Sequence, residues 1–275
     1  MQFKTKTRDN EIWPDFDCIS APLLDETRRF YEGAQPFPHL VFDDVFSPEP
    51  LLNIDAAYES VEPGSWHTHS GPLQSKRRTR HDSPLPPIAQ SYFNMLSSGP
   101  FIRFLAAVTG IAHLVPDPAL HGGGMHEVRE GGHFQVHVDF KNSPVTGLQN
   151  RLVVITYLNE GWTEADGGSL ELWDPASNTC TKSIVPTFGR MVIMKQFEGA
   201  LHGHPMPVQA GKCRRALIAY FYTNGEGARA ADTTLATQYL IRSEMRMSQK
   251  AEILLRPLLP PVVIKSIKSL VRSGR

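Results

Sequence analysis

The chain is short of the features that mark several large protein classes. Its three cysteines, Cys18, Cys180 and Cys213, are an odd number and lie far apart, which argues against a disulfide framework and suits a reducing compartment. Neither charge is in excess, since Lys+Arg and Asp+Glu both number 28, so no global field draws the protein to nucleic acid. No apolar run approaches the roughly 20 residues of a spanning helix. The opening stretch MQFKTKTRDNEIWPDFD lacks the apolar core of a signal peptide. Internal repeats and low-complexity tracts are missing as well. These absences predict a cytoplasmic globular chain, and 275 residues suffice for one large domain or two small ones.

What is present falls into three parts. Residues 1–35 are mixed and polar, with Trp13-Pro14 and Ala21-Pro22 as breakers, and read as an N-terminal extension packed on the main domain. Residues 36–225 form that domain. HLVFDDVF reads as a strand, and Ser47-Pro48-Glu49 as a helix start, because serine caps well and proline suits the first turn. Residues 62–87, with KRRTRHDSPLPP, read as a charged, proline-punctuated loop. IAQSYFNMLSSGPFIRFLAAVTGI predicts two helices broken at Ser98-Gly99-Pro100. From about 121 to 224, short strand candidates follow one another between glycines: HGGGMHEVREGGHFQVHVDF, RLVVITYLN, GGSLELWD, SIVPTFGRMVIMKQF, HPMPVQ and RRALIAYFYT. That spacing predicts a mainly β sandwich or barrel with flanking helices. Residues 226–275 read as a helical, basic tail. Pro257, Pro260 and Pro261 interrupt it, which favours packing as a cap or a homodimer helix over one continuous helix on a membrane surface.

The segment GGHFQVHVDF, residues 131–140, carries the first chemical signal. It puts His133, Gln135, His137 and Asp139 at every second position, hence on one face of a strand. His137-x-Asp139 offers an imidazole and a carboxylate side by side, and ALHGHPMPV offers a further imidazole from His202 or His204. Two histidines and one carboxylate leave the remaining positions of a metal open, as in non-haem Fe(II) oxygenases. Arg214 and Arg215 open an apolar strand, where a guanidinium is costly unless it meets an anion. A dicarboxylate would supply one, gripped by two parallel hydrogen bonds. Tyr157 sits in another apolar strand, and its hydroxyl needs a partner if buried.

QVHVDF, NRLVVITYLNEGWTEADGGSLELWD, PTFGRMVIMKQFEGALHGHPMPV and RRALIAYFYT, in that order, resemble the prolyl 4-hydroxylase-like branch of the Fe(II)/2-oxoglutarate-dependent dioxygenases. PFPHLVFDDVFS resembles the strand that opens such domains. The resemblance implies a double-stranded β-helix, a cupin-like jelly-roll barrel with iron at its mouth. It implies Fe(II) held by His137, Asp139 and a distal histidine, for which His202 is favoured and His204 stays open. It implies 2-oxoglutarate bound through Arg214 and Tyr157, with Arg215 facing outward, O2 as oxidant and ascorbate as a candidate reductant. The implied reaction hydroxylates an unactivated C–H bond and releases succinate and CO2. Related halogenases lack the carboxylate ligand, so Asp139 favours hydroxylation.

The family's fold leaves the substrate open between a small molecule and a peptide side chain such as proline. The residues themselves also admit a non-catalytic metal-binding barrel or a zinc-dependent hydrolase, neither of which needs Arg214 and Tyr157. Gly167-Gly168 suits a turn with positive φ, and Trp162 reads as packing. His121, His126, His133 and Gln135 are candidates to bind substrate or orient ligands. The loops 141–150 and 62–87 read as a lid, with Lys76, Arg77, Arg78 and Arg80 as a basic cluster able to receive an acidic substrate.

Overall fold

The computed structural model describes residues 12–225, 238–242 and 244–255. Five helices and thirteen strands are set along them: α1 (Ala21–Gly33), β1 (His39–Phe42), α2 (Pro48–Ala57), β2 (Trp66–Ser70), β3 (Gln74–Thr79), α3 (Pro87–Leu96), α4 (Gly99–Thr109), β4 (Val115–Pro116), β5 (Gly124–Arg129), β6 (His133–Val138), β7 (Gln149–Tyr157), β8 (Leu170–Asp174), β9 (Thr179–Ile184), β10 (Met191–Lys195), β11 (His202–His204), β12 (Cys213–Thr223), β13 (Gln238–Tyr239) and α5 (Met247–Leu255). The strands pair in the order β1-β10-β7-β12-β5-β3-β6-β11-β8-β9, with β2 on β3, β4 on β12 and β13 on β6. Every ladder between these strands is antiparallel. Strand β3 turns the corner between the halves of this path. Its Arg77 and Arg78 pair with β5, while its Gln74 and Ser75 pair with β6. The result is a curled, antiparallel double-stranded β-helix, the form of barrel that the resemblance implies.

The apolar runs of β7 and β12 are explained by burial on both faces. Leu152, Val154, Leu217, Ala219 and Phe221 face a core shared with Leu51, Ile54, Tyr92, Phe101 and Leu105 of the helices. Their neighbours Val153, Ile155, Tyr157, Ala216 and Tyr220 face the barrel interior with Leu170, Leu172 and Met194. A strand covered on both sides loses the apolar–polar alternation of a half-exposed one. Each Leu, Val, Ile, Met or Phe side chain among them contributes about 1.5–3 kcal/mol on full burial. Tyr92 crosses from α3 to the sheet, its hydroxyl donating to Thr156 at 2.6 Å. The N-terminal residues join the same core: Phe16 and Tyr31 are buried, and Phe16 packs edge-on against Phe101.

The helix breaks fall where the sequence puts them. Pro100 stands in the first turn of α4, and Gly110 closes it in the left-handed region at φ 70°. Residues 62–87 depart from the expected loop, since β2 and β3 form a hairpin there. Its alternation is invisible as hydropathy because both faces of QSKRRT are polar. Arg77 meets the buried Glu127 on one side, and Lys76 and Arg78 line a cavity on the other.

No helix of the described residues is long and apolar enough to cross a membrane. Of the tail, β13 pairs with β6 and α5 is helical. Its basic end, the three prolines and the expected dimer contact lie outside the described residues.

Candidate active site

Strand β6 does not present its polar residues on one face throughout. His202 stands opposite His137 and His204 opposite Phe134, so Gln135 and Val136 together face the single residue Gly203. This bulge turns the strand. Phe134 shares the cavity with His137 and Asp139, and Gln135 instead accepts a hydrogen bond from Arg242 Nη2 at 2.8 Å. Gly203 is required here, since a Cβ would lie 2.9 Å from both Phe134 O and Val136 Cα.

The bulge and the register bring His137, Asp139 and His202 together. His137 Nε2 lies 3.3 Å from Asp139 Oδ1 and His202 Nε2 lies 3.5 Å from Asp139 Oδ2. One ligand atom from each of the three fits within 4.8 Å of the others. Each histidine directs Nδ1 at a backbone carbonyl, of Gln135 at 2.7 Å and of Ala200 at 2.8 Å. Those bonds put the proton on Nδ1 and leave Nε2 as a lone-pair donor aimed inward, the arrangement that orients metal-bound imidazoles. His204 lines the same cavity without joining this cluster. The donor set, two imidazoles and one carboxylate, fits a divalent first-row metal with open positions.

The charges agree with that donor set. Burial and the neighbouring His202 push His137 down to about 4, so it is neutral near pH 7. Burial alone would raise the Asp139 carboxyl, but His202 and His137 hold it well below its usual range. Tyr220 also donates to Asp139 Oδ2, at 2.9 Å. Tyr220 lies within RRALIAYFYT and has no role in the sequence reading, although its position is legible: it follows Arg214 by six residues on β12 and so shares its inward face. Tyr220→Phe is expected to weaken metal binding by roughly tenfold, the lower end for a residue that orients a ligand. Anaerobic titration with Fe(II) measures it, and an unchanged affinity would reduce the bond to packing.

Deeper in the barrel, Arg214 is buried to 5 % exposure and lines the cavity. Its Nε donates to Gly168 O at 2.7 Å, its Nη2 to Tyr157 Oη at 3.3 Å, and its guanidinium lies over the Tyr157 ring. Gly168, at φ 65°, leaves the space: a Cβ there would stand 2.8 Å from Arg214 Cδ. Burial lowers the arginine, and no carboxylate of the described residues lies within 4.0 Å of it. Arg215 points the other way, to Asp55, Glu59 and Glu127. Trp162 is buried and donates to Gly167 O at 2.9 Å.

The cavity has a volume of about 250 Å³ and also takes in His69, Gln74, Lys76, Arg78 and His126. His126 is held by Gly122 O, His133 by Pro72 O, and His121 stands beside Asp117. The loop 141–150 supplies no lining residue, whereas Phe140 just before it does. Of the two segments read as a lid, residues 62–87 line the cavity through the β2–β3 hairpin.

A double-stranded β-helix with two histidines and an aspartate gathered in its cavity has the architecture of a non-haem Fe(II) oxygenase. The sequence model of the 2OG-Fe(II) oxygenase superfamily matches residues 123–223, the core of the barrel. Three solved structures share the fold. A prolyl 4-hydroxylase from Pseudomonas putida is 14% identical with a TM-score of 0.52, over 74% of this chain and 100% of that one. A prolyl hydroxylase from Trichoplax adhaerens, in complex with a hypoxia inducible factor peptide, is 15% identical with a TM-score of 0.51, over 74% and 90%. A prolyl 4-hydroxylase from Phytophthora capsici is 17% identical with a TM-score of 0.50, over 90% and 77%. No curated protein matches the chain in sequence.

Proposed function

We propose that this chain hydroxylates an unactivated C–H bond of a small molecule or peptide, with Fe(II) held by His137, Asp139 and His202 and 2-oxoglutarate held by Arg214. The observation that carries this reading is one cavity lined both by the three-residue cluster and by the buried Arg214. When bound, iron and 2-oxoglutarate supply the oxidising chemistry, with O2 consumed and succinate and CO2 released. The residues of the chain do the positioning. His137 and His202 are each fixed in orientation by a bond from Nδ1 to a backbone carbonyl, which leaves Nε2 free to ligate. Asp139 stays ionised and is steadied by Tyr220. Arg214 takes the distal carboxylate, and Tyr157 and Gly168 O fix the plane of its guanidinium, so the cosubstrate meets a preformed fork. Apolar walls from Val153, Ile155, Leu170 and Ile218 exclude water around it. Proline in a peptide is one substrate in keeping with the names of the structural neighbours.

The test is anaerobic addition of Fe(II) and 2-oxoglutarate to the purified chain, read as the visible charge-transfer band of the chelate. A band that needs both additions is expected. A folded protein that binds Fe(II) yet gives no band with 2-oxoglutarate would overturn the reading.

A further inference from the structure

The basic cluster of the β2–β3 hairpin is divided by the pleat of its strand. Ser75, Arg77 and Thr79 alternate with Gln74, Lys76 and Arg78, and the second set lines the cavity. On the outer side the charges are met. Glu127 is 1 % exposed and lies 2.7 Å from Arg77, 2.7 Å from Arg129 and 3.4 Å from Arg215. On the inner side they are not. Among the described residues no carboxylate comes within 4.0 Å of Lys76 or Arg78. The Lys76 ammonium sits 3.6 Å above the Phe134 ring, and Arg78 spends one hydrogen bond on Thr79 O at 3.2 Å. Burial pushes Lys76 down to about 7, with Asp139 favouring its charge and Arg78 and Arg214 opposing it. Burial lowers Arg78 as well. Both side chains are half-buried and line the cavity, so each has given up part of its hydration. Desolvating them without a counter-ion is unfavourable.

Under the proposed oxygenase function, on which this inference rests, the remaining charges of the cavity are matched. The two positive charges of the metal and the one of Arg214 balance Asp139 and the two carboxylates of 2-oxoglutarate. Lys76 and Arg78 are left over, and both line the cavity that also holds Asp139 and Tyr220. We propose that Lys76 and Arg78 bind an anionic group of the substrate, a carboxylate or a phosphate, and so orient its C–H bond toward the metal cluster. Gln74 and His69, from the same hairpin wall, are placed to complete the polar surface around that anion.

The test uses the full chain loaded anaerobically with Fe(II) and saturating 2-oxoglutarate, so that Arg214 is occupied. It is titrated in a calorimeter with methyl phosphate and, separately, with acetate. Saturable binding of at least one is expected, and the tighter of the two identifies the class of anion. Lys76→Gln and Arg78→Gln should each weaken it about tenfold or more, as expected for a charge-assisted hydrogen bond, while Lys76→Arg retains it. The visible chelate band, recorded in each variant, reports that fold and cosubstrate site are intact. A wild-type band without binding of either anion overturns this proposal and leaves the oxygenase reading standing. Binding unchanged in both glutamine variants overturns it too, as does a rise in the 2-oxoglutarate requirement of Lys76→Gln, which would assign that lysine to the cosubstrate. Absence of the band in the wild type would overturn both readings.

Discussion

Arg214→Gln is expected to weaken 2-oxoglutarate binding by about 100-fold or more, while Arg215→Gln leaves it within a few-fold of the wild type. The two arginines are adjacent in sequence and opposite in environment. Arg214 is buried inside the barrel with only neutral partners, Gly168 O and Tyr157 Oη. A guanidinium so placed carries unmet charge, and truncating one side of a buried, hydrogen-bonded charge pair costs roughly 2–5 kcal/mol. Glutamine keeps much of the shape and loses the charge and the fork. Arg215 is engaged with Asp55, Glu59 and Glu127 on the outer face. Its loss should appear as stability, about 1–3 kcal/mol for the charged hydrogen bonds removed. The measurement is 2-oxoglutarate dependence of the chelate band in both variants, beside thermal unfolding. Equal shifts in cosubstrate affinity would sink the assignment of the distal carboxylate to Arg214.

That contrast is legible in the sequence because a strand has a period of two. The same rule puts Val153, Ile155 and Tyr157 on one face and Leu152 and Val154 on the other, and makes RLVVITYLN readable as a strand covered twice. The helix break at Ser98-Gly99-Pro100 is legible for local reasons, since proline fits only the first turn. Two features are hidden. The bulge in β6 depends on Gly203 of a partner strand some seventy residues away, and a strand's own sequence does not announce where its neighbour lacks a residue. It moves Gln135 out of the face it was expected to share with His137 and puts Phe134 in its place. The β2–β3 hairpin is hidden because its two polar faces have different partners, Glu127 outside and the cavity inside. Hydropathy cannot separate a face that is polar for an ion pair from one that is polar for a ligand. Both features need long-range pairing, and both shape the cavity.

The histidine pair in ALHGHPMPV is the place where pairing decides chemistry. His202 and His204 are both buried on a three-residue strand, both line the cavity, and spacing alone would put them on one face. The bulge separates their roles. His202 faces His137, with ring centroids 4.5 Å apart, and points Nε2 at Asp139. His204 faces Phe134, with centroids 6.1 Å apart, and its Nδ1 is buried with no hydrogen-bond partner among the described residues. A metal in this cavity would therefore draw on His202. His202→Ala, like His137→Ala and Asp139→Ala, is expected to lower Fe(II) affinity by more than 100-fold, beyond the roughly 10- to 100-fold that loss of an orienting residue costs. His204→Ala should hold iron within about threefold and change 2-oxoglutarate binding instead, because His204 lines the cavity beside Arg214 and stands outside the three-residue cluster. Anaerobic Fe(II) titration of the four variants decides it. Iron retained in His202→Ala and lost in His204→Ala would exchange the two assignments and require that β11 pair two residues out of its observed register.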